Sequence, residues 1–190
     1  EQARLLGERL GRQGVRFDRV YSSSLVRTAQ TTEIMLAAMG EPGRPFERVD
    51  ALIEQQIPGW RGVPIEEAYT PEVREYMPVK GAHFVPPEGE SHRMVQRRTS
   101  GWLEEEIIYN QDLVGRDQSL TVAVVGHGAA SRCLFQYIMG YDDRFITRCA
   151  LNNCSISRFI FDRNAWSVVC INDSYHLNGT GQQPGFESRP

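Results

Sequence analysis

His127 stands between Gly126 and Gly128 at the end of the run Leu120 to Val125 (Leu-Thr-Val-Ala-Val-Val), and a helix-forming stretch follows. A histidine placed there sits where the backbone N–H groups of the new helix face an anion. Arg27 lies in the segment Tyr21-Ser22-Ser23-Ser24-Leu25-Val26-Arg27-Thr28-Ala29-Gln30-Thr31, on the first turn of a second helix that also follows a short strand. A guanidinium in that position adds a planar, permanently charged fork to a helix start that already attracts anions. The chemistry open to such a pair is the holding of an anion. Each residue also has a plainer reading. A histidine between glycines can simply close a tight turn, and an arginine standing alone is ordinarily a solvated surface side chain.

Both residues depend on strand-to-helix turns, so the elements around them matter. Ala3, Leu6 and Leu10 recur at helical spacing, and Gly14 follows where a left-handed cap would end the helix. Val15 to Tyr21 reads as a short buried strand. Ser22, Ser23 and Ser24 then offer N-cap hydroxyls for a helix from Leu25 to Met39, closed by Gly40. Leu120 to Val125 is continuous and β-branched-rich, the pattern of a strand buried on both faces of a sheet. It leads through Gly126-His127-Gly128 into a helix reaching Met139 and Gly140. Ser155 to Phe161 and Trp166 to Ile171 read as the remaining strands. In open α/β sheets, ligands bind at such strand-to-helix turns.

Between Glu41 and Gly89 the pattern loosens: eight of the ten prolines fall there. The stretch offers one clear short helix, capped by Thr70 with Pro71 at its first position. An irregular insert of this length usually covers a site. Order returns at Ser91, where Met94, Val95, Trp102, Leu103 and Ile107 mark one face of a long helix ending near Asn110.

The composition narrows the classes. At 190 residues, 41% apolar and 24% charged, the chain has the make-up of one globular domain with a sizeable core. A net charge of -3 gives no excess of cations with which to neutralise a nucleic-acid backbone, so nucleic acid is not an expected partner. No apolar run approaches the ~20 residues that span a bilayer. Cys133, Cys149, Cys154 and Cys170 form no C-x-x-C pair and have no histidine at zinc-ligand spacing. They read as reduced core thiols, which favours an intracellular compartment, cytoplasm or organelle lumen; a targeting peptide upstream of Glu1 cannot be judged.

The Ser-Ser-x-Leu-x-Arg-x-x-Gln-Thr arrangement from Ser22 to Thr31, with Val124-Val125-Gly126-His127-Gly128 leading into Arg132, resembles two hallmark segments of the histidine phosphatase superfamily, branch 1. Further matches fall in the same order. They are Leu52-Ile53-Glu54 followed by Trp60 and Gly62, then Pro87-Glu88-Gly89-Glu90-Ser91, then Asn153 before Ser155-Ile156-Ser157, then Asn172 to Leu177. The resemblance spans nearly the whole chain. It implies a phosphoglycerate-mutase-like three-layer α/β/α sandwich with a mostly parallel central sheet over residues 1–177. Residues 41–89 would form an irregular insert over the site and 178–190 a flexible tail.

By the same resemblance, a histidine in an Arg-His-Gly segment is phosphorylated in line and later dephosphorylated by water. His127 would donate to the transferring phosphoryl group, Arg27 would hold its equatorial oxygens, and Gly128 would belong to the phosphate-binding turn. Glu54 would protonate the leaving oxygen and then activate water, although Asp50, Glu66 and Glu67 are rival carboxylates nearby. Glu90 and Ser91 would brace the loop and begin the long helix. Trp60 reads as a packing residue, and His83, His92 and His176 as surface residues. No metal and no cofactor is implied.

None of the four histidines is preceded by Arg and followed by Gly, so the nucleophile is unknown within these residues. The missing strand would be central to the sheet, and its loss would leave unpaired N–H and C=O groups. It is expected from a longer chain, a separate N-terminal fragment, or a protein partner that completes the sheet. In the first two cases the protein is a phosphomonoesterase acting on a small phosphorylated molecule through a phosphohistidine. In the third it is a catalytically inactive structural or ligand-binding subunit. A phosphoglycerate-type mutase is a weaker third reading.

Overall fold

The structure is a computed structural model that describes residues 1–113, 119–142, 149–162 and 165–179. The expected tail beyond residue 179 lies outside the described residues. Two compact units emerge: Glu1–Asp50 with Gln118–Gly128 and Cys149–Pro190, and Ala51–Asp117 with Ala129–Arg148.

The first unit opens with α1 (Gln2–Arg12), whose buried residues Ala3, Leu6, Gly7 and Leu10 follow the 3.6-residue period. Gly14, at φ +67°, then turns the chain. Helix α2 (Val26–Ala38) buries Thr28, Ala29, Thr32, Met35 and Leu36. The two helices approach so closely at Gly7 that a Cβ there would lie 2.2 Å from the Met35 carbonyl oxygen. Leu6, Leu10, Val20, Met35, Leu36 and Met39 form the core of this unit.

That core supports a parallel sheet in the order β2 (Glu47–Val49), β1 (Arg19–Ser23), β3 (Val122–Val125). β1 pairs with β3 from Arg19↔Val122 to Ser22↔Val125, and with β2 from Tyr21↔Glu47 to Ser23↔Val49. The mixed α/β class with a parallel central sheet is therefore present. Three local expectations change. The strand expected from Val15 begins only at Arg19, because the Val15 N–H still donates to the Leu10 carbonyl as the chain leaves α1. Ser22 and Ser23 belong to the buried end of β1, and Leu25 occupies the N-cap of α2 without a side-chain cap bond. β3 is not buried on both faces, with Val124 39% exposed. Among the described residues only β1 pairs with it, which leaves its far edge open.

Strands β4 (Ile156–Asp162) and β5 (Ala165–Asp173) form a separate antiparallel pair. Ile156 packs against the same core as Ala123 and Val125 of β3. Asp173 at the end of β5 is gripped by Arg9 of α1 through two hydrogen bonds, at 2.9 and 2.5 Å.

The second unit contains α3 (Ile65–Ala68), α4 (Pro71–Lys80), α5 (His92–Leu103) and α6 (Gly128–Ile138), the last entering it at Ala129. Thr70 caps α4, its hydroxyl accepting from the Val73 N–H, with Pro71 at the first position. Ser91 caps α5 in the same way through Met94 at 3.1 Å. The long helix expected to reach Asn110 instead widens after Leu103 into a π turn, Glu104–Ile108, where the Tyr109 N–H reaches back five residues to the Glu104 carbonyl. Val95, Ala130 and Cys133 join α5 to α6. Trp60 lies 4.8 Å from Tyr69 and 5.9 Å from Phe84 between ring centroids, a small aromatic core inside the proline-rich stretch. No helix among the described residues is long and apolar enough to cross a membrane.

Candidate functional site

In the first unit, the parallel pairing of β1 with β3 brings their C-terminal ends side by side. Ser22 is level with Val125, so the chain leaving β3 reaches His127 beside the last residue of β1. The His127 Nε2 lies 2.9 Å from the Ser23 hydroxyl oxygen. Both are buried, Ser23 completely and His127 to 8% exposure.

Arg27 is the second residue of α2, four residues beyond Ser23, and its side chain is exposed. Among the described residues its guanidinium has no hydrogen-bond or ion-pair partner. The start of α2 that carries it is held by the Thr28 hydroxyl, which donates to the carbonyls of Leu25 at 2.8 Å and Ser23 at 3.3 Å. His127 and Arg27 thus both follow the C-terminal ends of neighbouring parallel strands. Asp50, a rival of Glu54 in the sequence, follows the end of β2 and accepts a hydrogen bond from the Ser24 hydroxyl at 2.5 Å.

Gly128 opens α6, and a Cβ built on it would meet nothing within 4 Å. Packing therefore does not require glycine there. The space over this backbone is open to an approaching group.

In the second unit, the Glu54 carboxylate accepts from the backbone N–H groups of Ala130 at 3.1 Å, Ala129 at 3.3 Å and Gln55 at 2.9 Å. It serves as an anionic cap on the start of α6, where the helix presents unsatisfied donors. Glu66 and Glu67 are exposed on the first turn of α3.

Glu90 is bound by Arg98 and by the Gln56 N–H, the latter at 2.9 Å. Burial pushes its carboxyl up, but the Arg98 and Gln56 hydrogen bonds outweigh that and hold it below its ordinary value. Arg98 also donates to the carbonyls of Ala51 at 2.6 Å and Glu54 at 3.2 Å. It is the hub of the Ala51–Gln56 loop, and sequence reasoning missed it. Eight residues separate it from Glu90 across a helix cap, a spacing that no helical periodicity singles out.

Two histidines are not the surface residues expected. His92 is half-buried, and burial followed by the charge of Arg132 lowers its affinity for a proton, against the pull of Glu54. His176 is half-buried with Nδ1 3.3 Å from the Arg9 guanidinium. His83 is exposed. Of the cysteines, only Cys133 is fully buried, and no disulfide joins the four.

The profile of the histidine phosphatase superfamily (branch 1) matches residues 1–174. The chain belongs to the histidine phosphatase superfamily. A broad-specificity phosphatase of Saccharomyces cerevisiae is 27% identical over 184 residues, covering 96% of this chain and 75% of that protein. The Yersinia pestis protein named probable phosphoglycerate mutase GpmB is 30% identical over 187 residues, covering 93% of this chain and 80% of its own length. Among solved structures, the mycobacterial glucosyl-3-phosphoglycerate phosphatase in complex with inorganic phosphate superposes with a TM-score of 0.75 at 21% identity. That match covers 92% of this chain and 85% of the solved one, a likeness of fold. The chain thus shares its fold with proteins whose sequences have diverged widely.

Proposed function

We propose that the protein is a phosphoric monoester hydrolase of the histidine phosphatase type, acting on a small phosphorylated molecule through a phosphohistidine, without metal or cofactor. Arg27 and His127 hold the transferring phosphoryl oxygens, Gly128 leaves room over the turn, and Glu54 takes the proton-transfer role on its motif alone. Glu90 and Ser91 support the loop and the start of α5. The observation that carries this reading is that His127 and Arg27 both follow the C-terminal ends of adjacent parallel strands, the edge at which α/β sheets bind ligands. The uncommitted guanidinium of Arg27 fits a charge-assisted grip on an oxyanion.

The phosphorylated histidine lies on a strand outside these 190 residues, added to the open edge of β3. Its source is a further stretch of the same protein, a separate fragment or a partner. The second reading is an inactive ligand-binding or structural subunit. A phosphoglycerate-type mutase is the weaker third. The buried and half-buried thiols of these cysteines fit an intracellular setting.

Hydrolysis of p-nitrophenyl phosphate by the purified protein, with intact mass measured on the same sample, separates these readings. Turnover lost in His127→Ala and reduced in Arg27→Ala, with a mass above 21.6 kDa or a co-purifying fragment, supports the hydrolase. No turnover at a mass matching these residues, with phosphate still bound, supports the inactive subunit. Turnover indifferent to both substitutions refutes the assignment.

A further inference from the structure

We propose that Ser23 is the positioning residue of His127. This rests on the reading that His127 serves phosphoryl transfer, and extends it to a residue buried beneath the site. The His127 Nε2 meets the Ser23 hydroxyl oxygen at 2.9 Å, with both residues withdrawn from water.

A hydroxyl is the one common side-chain group that both donates and accepts a single hydrogen bond by rotation. Ser23 can give its proton to an unprotonated Nε2, or accept the N–H of an imidazolium, without either side chain moving. A carboxylate in its place could only accept and would need a protonated Nε2, and a backbone N–H could only donate and would need a bare one. The hydroxyl therefore holds the imidazole plane in either protonation state, keeping the ring in place while it faces a phosphoryl oxygen.

Ser23 is itself anchored. Its oxygen accepts from the Leu25 N–H at 3.3 Å, and its carbonyl accepts from the hydroxyls of Ser22 at 3.0 Å and Thr28 at 3.3 Å. Ser22 and Thr28 are buried as well. Thr28 is the neighbour of Arg27 on the first turn of α2. One chain of buried hydroxyls thus fixes the His127 ring and the helix start that carries Arg27.

The test is long-range proton–nitrogen NMR of the histidine rings in the wild type, Ser23→Ala and Ser23→Thr, with His127→Gln assigning the signal. The expected result is a His127 ring-nitrogen pattern that changes in Ser23→Ala and returns to the wild-type pattern in Ser23→Thr. An unchanged His127 signal in Ser23→Ala overturns the proposal. Should Ser23→Ala fail to fold, Ser23→Cys, similar in size with a weak S–H donor, takes its place with the same criterion. In the p-nitrophenyl phosphate assay, kcat of Ser23→Ala falls about 10- to 100-fold, the usual loss when an orienting partner is removed. KM stays within about threefold, as for an interaction that matters only in the transition state. If the wild type shows no turnover, the hydrolase reading fails, while the NMR result still decides the role of Ser23.

Discussion

Arg98 clasps Glu90 through two parallel hydrogen bonds, Nε to Oε1 at 2.9 Å and Nη2 to Oε2 at 3.0 Å. The same guanidinium reaches the carbonyls of Ala51 and Glu54, so a single cation holds both the entry to α5 and the loop that presents Glu54. Removing it leaves the half-buried Glu90 carboxylate with the Gln56 N–H alone and takes the Arg98 donor from the Ala51 and Glu54 carbonyls. Arg98→Ala is expected to destabilise the protein by about 1–3 kcal/mol, the cost of unsatisfied buried polar groups, as read by urea unfolding at pH 7. The Glu90 carboxyl is held below its ordinary 4.5. Its stabilisation is thus fully present above that pH and is lost as pH falls below it. The penalty of Arg98→Ala should shrink in that acid range. A penalty independent of pH would show that the carboxylate is not what Arg98 serves.

Asp173 makes a similar case between α1 and β5. Hydrogen bonds from Arg9 hold its carboxyl down at about 2, from an ordinary 3.8, against an upward push from burial. The sign follows from the depressed value. The contribution is complete above 3.8 and disappears as pH falls from 3.8 toward 2. Asp173→Asn is expected to lower stability at pH 6, with the difference from wild type closing across that window. Parallel unfolding curves at all pH values would contradict it.

At Gly7 two effects compete. Replacing glycine inside a helix by alanine gains about 1 kcal/mol of propensity. Here the new methyl would lie 2.2 Å from the Met35 carbonyl oxygen and 2.7 Å from the Ala38 Cβ. A backbone carbonyl cannot swing aside, so α1 must move off α2, at a cost of about 1–3 kcal/mol or more. Gly7→Ala is therefore expected to lower the unfolding free energy by up to roughly 2 kcal/mol. An increase would mean that the helices separate freely.

Burial pushes the Cys133 thiol up to about 12, and the side chain packs against Val95 and Ala130. Only the thiolate reacts with disulfide reagents or alkylating agents. Cys133 should remain unmodified in the folded protein at pH 8 and react once denaturant is added, as mapped by peptide mass. Modification at the rate of an exposed thiol would show that the α5–α6 contact opens readily.

Much of this architecture is legible where local chemistry suffices. Thr70 with Pro71 marks the start of α4, Ser91 the start of α5, and the Ala3, Leu6, Leu10 spacing the inner face of α1. Glu47–Val49 was not legible, because two charged residues in a proline-rich stretch lack strand propensity, and only pairing with β1 makes them β2. Val124 looked fully buried because a β-branched run is the same whether or not its outer edge is covered. For the candidate site, the motifs picked out His127, Arg27 and Glu54. They could not reveal that Glu54 caps α6 or that Ser23 meets His127, because both contacts link segments far apart in the chain.

The alignment of β1 with β3 also bears on which changes this region can absorb. His127 meets Ser23 only because it lies two residues beyond Val125, which is level with Ser22. Side chains on a strand alternate between faces, so a shift of one residue turns each of them over. Exchanging one aliphatic residue for another within Val122–Val125 should be tolerated. Inserting or deleting a single residue between Val122 and His127 should carry the imidazole away from its partner. Among natural variants of this chain, the length of that segment is therefore expected to vary far less than its composition.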